Sequence, residues 1–213
     1  MTEQGKKKAR DRILETAVHL FAQRGYASVG VREIAQKAGV NISMISYYFN
    51  GKVGILMEIL DRFHERYLET LKASIDDNIA PEACLERIIS GMIDFVRDNT
   101  ELAMVAFDTL PLDIPEITER KSVHVQHLME AVSGLFLRLG LDPNDRVLFA
   151  VVGPALLSIV LAHFRLRPIQ KKVLQMDFNN AFYDRYKAII SGLFLKGVTG
   201  IKDLSPSNHG EST

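Results

Sequence analysis

Residues 42–49, "ISMISYYF", place two serines and two tyrosines among Ile42, Met44, Ile45 and Phe49. Hydroxyls at this density suit hydrogen bonding to phosphate oxygens or base edges, and the apolar groups suit contact with thymine methyls. Set on a helix, Ile45, Tyr48 and Phe49 share one face through their three- and four-residue spacings. Ile42, Ser43, Ser46 and Tyr47 fall on the other face, with Met44 at its margin. One face plugs into a core and the other is left to touch a partner. Other candidate chemistry is thin. Cys84 stands alone, which gives neither a disulfide framework nor a cysteine metal site. His124 and His127 sit three residues apart on a predicted helix, without a supporting Cys or carboxylate cluster, so no metal is expected. There is no nucleophile elbow, phosphate loop or paired-carboxylate motif. The chemistry expected is recognition rather than catalysis, with no cofactor.

The elements that must position these groups are helices. No strand alternation is sustained anywhere, and the chain reads as all-α. A first helix is predicted from about Lys6 to Arg24, with Ile13, Leu14, Ala17, Val18, Leu20 and Phe21 as its stripe and Gly25 as its stop. A short helix over Val31–Lys37 follows. A third begins after Asn41, a good N-cap residue. A long helix runs from about Lys52 to Asp77 on Leu56, Ile59, Leu60, Phe63, Tyr67, Leu71 and Ile75. Pro81 opens the next, and Thr100 is expected to cap a short one through Phe107. Pro115 starts a helix that Gly140 ends. "DPN" at 142–144 starts a very apolar helix that Pro154 is expected to kink, and the last runs from about Asp177 to Lys196. A polar tail, 201–213, is expected to be disordered.

Composition agrees with a folded chain: 213 residues, 47% apolar and 24% charged, with zero net charge. The charge is unevenly spread. Residues 1–52 hold nine Lys or Arg against four acids, so the front carries +5 and the rest −5. That asymmetry suits a polyanion-binding head on an acidic body. The apolar run Val147–Ala162 would span ~24 Å as a helix, short of the ~30 Å hydrocarbon layer. Arg146 before it and Arg165 after it favour a buried helix over a membrane span. The front runs straight into charge without a signal-peptide pattern. A cytoplasmic protein with no membrane partner is expected.

The segment from Ile13 to Leu56 resembles the DNA-binding domain of the tetracycline-repressor (TetR) family. The matching landmarks are Ile13, Ala17, Phe21, Gly25-Tyr26, "VREIA" at 31–35, "AGV" at 38–40, "YYF" at 47–49 and Lys52. The resemblance implies a three-helix, helix-turn-helix head over residues 9–52, preceded by a flexible basic arm over 1–8. A linking helix of about 52–77 would lead into a helical effector-binding and dimerisation domain over 53–200. It implies that Tyr47 packs on the sugar-phosphate backbone with Tyr48 beside it. Asn41, Ile42, Ser43, Met44 and Ser46 would lie where base or phosphate contacts are made, and Lys52 would meet a phosphate. Backbone N–H groups near Gly30, Val31 and Arg32 would face another phosphate. The family favours Ser or Thr around positions 29 and 30, where this chain has Val29 and Gly30, so that hydroxyl contact is missing unless Ser28 supplies it.

One short recognition helix reads few base pairs, so a homodimer on an inverted-repeat operator of double-stranded DNA is expected. The resemblance implies a four-helix dimer interface from the helices at about 143–166 and 177–196. Middle helices would enclose a small-molecule effector, with Phe63, Tyr67, Met92, Phe95, Met104, Phe107, His127 and Met129 as candidate lining. Such a lining suits an apolar or amphipathic effector. The expected function is a ligand-responsive repressor. An architectural DNA-binding protein without an effector is the alternative, and a metabolite-processing enzyme is a remote one.

Overall fold

In a computed structural model, residues 3–107 and 110–201 are described. Among them the fold is all-α: α1 (Glu3–Arg24), α2 (Val31–Lys37), α3 (Ser43–Phe49), α4 (Lys52–Ser74), α5 (Pro81–Asp98), α6 (Thr100–Phe107), α7 (Pro115–Arg138), α8 (Arg146–Leu174) and α9 (Asn180–Ile201). The chain divides into two compact units. The first runs to Glu69 and adds Val96–Leu128. The second comprises Thr70–Phe95 and the chain from Met129 onward.

The first unit is built on α1, whose Ile13, Leu14, Ala17, Leu20 and Phe21 are all buried. Gly25 ends that helix with φ +77° while its N–H returns to the Phe21 carbonyl at 2.9 Å, a left-handed cap that suits glycine. α2 contributes Ile34 and Ala35 to the core, α3 contributes Ile45 and Phe49, and α6 packs on α1 through Ala103, Val105 and Ala106. Residues 3–8, expected as a separate arm, continue α1. They extend a helix whose buried stripe already includes Ala9. α6 and the first half of α7 belong to the same compact unit as α1, α2 and α3.

Between α3 and α4 the chain reverses through Asn50 (φ +55°) and Gly51 (φ +103°). Gly54 then passes so close to α3 that an added Cβ would lie 1.6 Å from the Phe49 carbonyl oxygen. Only hydrogen fits there.

In the second unit α5 buries Cys84, Ile88, Ile89, Met92 and Ile93, and α7 adds Leu135 and Phe136. Arg138 straps the turn after α4, donating to the carbonyls of Asp76 (3.1 Å) and Ile79 and to the Asp77 carboxylate (2.9 Å). Arg87 donates to the carbonyls of Ser74 and Ala73, satisfying the open end of α4.

Several expectations about element ends change: α4 stops at Ser74 rather than about 77, and α9 runs from Asn180 to Ile201 rather than from about 177 to 196. The Thr100 hydroxyl does not cap α6; it donates back to the carbonyls of Val96 and Arg97, closing α5 instead. α8 begins at Arg146 rather than at 142–144, because Asp145 is its N-cap, accepting from the N–H groups of Val147 and Leu148. It continues past the expected 166 to Leu174, with Pro154 and Pro168 both inside it. The expected tail beyond Ile201 lies outside the described residues.

Within the single chain, α8 is not buried on every side as expected. Leu148, Val160, His163 and Phe164 are buried, whereas Val147 is 72% exposed and Val151, Leu166, Ile169 and Val173 are exposed as well. On α9, Ile189 and Leu193 are exposed. By length and composition alone α8 could cross a membrane, and only 22% of its most apolar window is buried.

Candidate nucleic-acid interface and effector region

α3 is held from behind and open in front. Ile45 and Phe49 are buried, while Ile42, Ser43, Ser46 and Tyr47 are exposed and Met44 and Tyr48 half-buried. Tyr47 is 71% exposed, its ring edge-on to Tyr48 at 4.9 Å. The helix starts in two steps. Ile42 already has helical dihedrals, and Asn41 just before it does the capping: its Oδ1 accepts from the Ser43 N–H at 2.9 Å and the Ser43 hydroxyl at 2.8 Å. That pairing fixes the Ser43 hydroxyl on the exposed face.

α2 begins at Gly30, which is extended (φ −99°, ψ 153°) and supplies no side-chain cap. The first-turn N–H groups are therefore left for water or an anion. Val31 is half-buried and Arg32 exposed. Several nearby cations are already engaged. Arg24 pairs with Glu33 at 2.5 Å, and Lys37 approaches the same carboxylate at 3.7 Å. Arg10 lies 2.8 Å from Glu58, and Arg62 bridges Asp11 and Glu58 at 3.1 Å each. Lys52, expected to meet a phosphate, extends its ammonium over the Tyr26 ring at 4.0 Å from the centroid. Burial lowers its pKa.

The eight residues expected to line an effector pocket divide between the units. In the first, Phe63 is buried and Tyr67, Met104 and Phe107 are half-buried. Phe63 stacks on Tyr67 at 5.6 Å and meets Phe107 edge-on at 5.0 Å. His127 is exposed. Met92 and Phe95 are core residues of the second unit, where Met129 is half-buried. An open groove of about 660 Å³ lies elsewhere in the first unit, between Leu14, Glu15 and Val18 of α1, Arg62 and Arg66 of α4, and Arg97–Leu102. None of the eight expected residues borders it.

Sequence reasoning missed what surrounds the aromatic wall. His64 and His124 are buried and stacked, ring planes 7° apart at 4.1 Å. His64 Nε2 meets His127 Nδ1 at 3.2 Å, and His124 Nε2 meets Asp61 at 3.0 Å. Burial, reinforced by the charges of neighbouring histidines and Lys121, pushes both His64 and His124 down to about 4. Burial alone lowers the Lys121 ammonium to about 8; it rests over the Phe107 ring at 4.4 Å and donates to the Ala106 carbonyl. Among the described residues no group of three or more His, Cys, Asp or Glu is placed to hold a metal. Each histidine was visible in the sequence, but their pairing joins positions about sixty residues apart, which helical periodicity does not report.

Known proteins share this geometry. Residues 13–59 match the description "Bacterial regulatory proteins, tetR family". Residues 13–59 are a TetR-family domain. Over 119 residues the chain is 33% identical to the probable HTH-type transcriptional regulator YttP of Bacillus subtilis, covering 54% of this chain and 57% of that relative. The match thus spans little more than half of YttP's length. The TetR-like architecture extends further than the sequence match. FadR from Bacillus subtilis, solved with stearoyl-CoA, superposes with a TM-score of 0.68 at 18% identity, covering 87% of this chain and 97% of FadR. NalD, the secondary repressor of the MexAB-OprM efflux pump in Pseudomonas aeruginosa, gives 0.67 at 18% identity over 92% and 98%. At these identities the likeness is one of fold. The TetR-type head accounts for the division of α3 into a plugged back and an open front.

Proposed function

We propose that this chain is a cytoplasmic, ligand-responsive transcriptional repressor that binds a palindromic operator as a homodimer. The observation that carries this reading is α3 with the residue before it: the back is core, and the front offers Ile42, Ser43, Ser46 and Tyr47 to a partner. In the major groove that front would meet base edges and backbone, with Met44 and Tyr48 at its margins and Asn41 fixing its start. The open first turn of α2, from Gly30 through Val31 to Arg32, and the ammonium of Lys52 would bind phosphates.

The second copy would cover α8 and α9. A stretch this apolar needs a dry partner, and the exposed apolar groups of α9 supply a matching face, which a lone membrane span would not need. The effector would be an apolar or amphipathic small molecule acting through Phe63 and Tyr67 on α4, the helix that Lys52 opens. The acyl ligand of the structural neighbour FadR supports that class. Such a ligand shifts the balance of head arrangements only by its differential affinity for them.

One observation favours a second reading, an architectural DNA-binding protein with no effector: none of the residues expected to hold a ligand borders the groove of the first unit. Selection of duplexes from random sequence by the full-length protein separates the two. A repressor selects one inverted repeat, binds it as two chains by sedimentation, and gains thermal stability with an effector that also releases the DNA. An architectural protein retains many unrelated duplexes and ignores every ligand tried.

A further inference from the structure

Lysine makes a poor fixed contact on its own. Its ammonium is a compact charge on four rotatable carbons, and holding it against a phosphate costs rotamer entropy. At the start of α4 that freedom is already restricted, because Lys52 lies with its ammonium 4.0 Å above the centre of the Tyr26 ring. This is within the range where the negative face of an aromatic ring attracts a cation, by roughly 0.5–1 kcal/mol at exposed sites.

The ring itself is held in place. Gly25 turns the chain out of α1 in the left-handed region, and the next residue, Tyr26, packs on the fully buried Phe21 with centroids 5.3 Å apart. The Tyr26 carbonyl accepts from the Val29 N–H at 3.3 Å, closing the turn that leads to α2. The ring is thus fixed to the helix on which the head is built, and the lysine of another helix rests on it. Burial and the nearby charge of Asp113 raise the phenol's pKa, so the ring stays neutral and adds no competing charge.

We propose that Tyr26 is a positioning residue for DNA binding: its ring face pre-sets the Lys52 ammonium for a backbone phosphate. The proposal rests on the reading of Lys52 as a phosphate contact. Pre-setting removes part of the ordering cost from the binding step, so it raises affinity without touching DNA. It also makes the ring's electron density, more than its hydroxyl, the property that matters.

The test is a double-mutant cycle on full-length protein with a duplex selected from random sequence. Lys52→Ala should weaken binding and flatten the log-affinity against log-salt slope by about 0.9 for each phosphate no longer neutralised. Tyr26→Leu should weaken binding about three-fold per head, the lower part of the cation–π range. That loss should vanish when Lys52 is already Ala. Tyr26→Phe should keep wild-type affinity. Pentafluorophenylalanine at position 26 keeps the ring's shape but removes its negative face. It should reproduce Tyr26→Leu, and it settles the matter if the leucine variant does not fold. Equal losses from Tyr26→Leu with and without Lys52 would overturn the proposal, since Tyr26 would then act through the head's fold alone. An unchanged slope in Lys52→Ala would overturn the phosphate reading and the positioning role with it, a different failure seen in a different variant.

Discussion

Tyr47 on α3 and Val147 on α8 are almost equally exposed, at 71% and 72%, yet the two helices call for different partners. On α3 the exposed apolar groups alternate with hydroxyls over seven residues, and buried Ile45 and Phe49 lock the opposite face. On α8 they recur along 29 residues, with few polar groups between them before Arg165. Mixed, short and braced, the first suits a wet, polar, charged surface. Continuous and long, the second suits a dry one. An exposed hydrophobic residue gains meaning from what separates it from the next.

The sharpest way to break this contrast is to place a charge on the long face. Val151→Glu should dissociate the proposed homodimer while each chain keeps its helicity, since an unpaired buried charge costs about 3–5 kcal/mol. Sedimentation equilibrium would detect it, and an unchanged association state would remove α8 from the interface. Next in size is the close passage behind the short face. Gly54→Ala drives a Cβ into the Phe49 carbonyl, so it should cost about 3 kcal/mol or more in denaturant unfolding and abolish DNA binding. A tolerated alanine would mean that α3 and α4 approach each other more loosely than this.

The histidines extend the comparison to the two units. His163 in the second sits among Phe164, Phe178, Phe182 and Tyr186, bonded to Gln170 at 2.9 Å and to the Tyr183 hydroxyl at 3.3 Å. In the first, His64 and His124 are each pressed against another imidazole and brought to about 4 from an ordinary 6.5. An unfolded chain therefore takes up protons before the folded one does. Stability should be intact above about pH 6.5 and fall as the pH drops from there to about 4. Asp61, whose pKa burial raises, works in the opposite sense at the acid end. Urea midpoints across that range check this, and His64→Leu should flatten the profile. The smallest effect expected is on the front of α3. Tyr47→Ala should weaken operator binding about ten-fold with no loss of stability. Unchanged affinity would take Tyr47 off the interface.

Much of the fold was legible because helix ends carry local signals. α2 runs over Val31–Lys37 as expected, and Gly25, Gly39 and Gly140 all take the left-handed conformation that ends a helix or turns a loop. Thr100 misled for the same local reason: a threonine before an apolar run reads as a cap, but its hydroxyl found the free carbonyls of the preceding helix. α8 outran its apolar stretch because Arg167, Lys171 and Lys172 are good helix formers that no periodicity argument would extend. Of the candidate sites, the two faces of α3 followed from spacing within eight residues. The histidine stack and the Lys121–Phe107 contact did not, since they join α4 and α6 to α7 across stretches of sequence that helical periodicity cannot bridge.

The ion pairs inside the head carry a consequence for how it would find its target. Arg10, Arg24 and Arg62 have carboxylates beside them, and Lys37 leans toward one. Neutralised pairs project little field beyond a Debye length. The net positive charge of residues 1–52 therefore rests on cations outside these pairs, Arg12, Arg32 and Lys52 among them, and attraction during diffusional approach would come from those groups while the paired arginines brace the head.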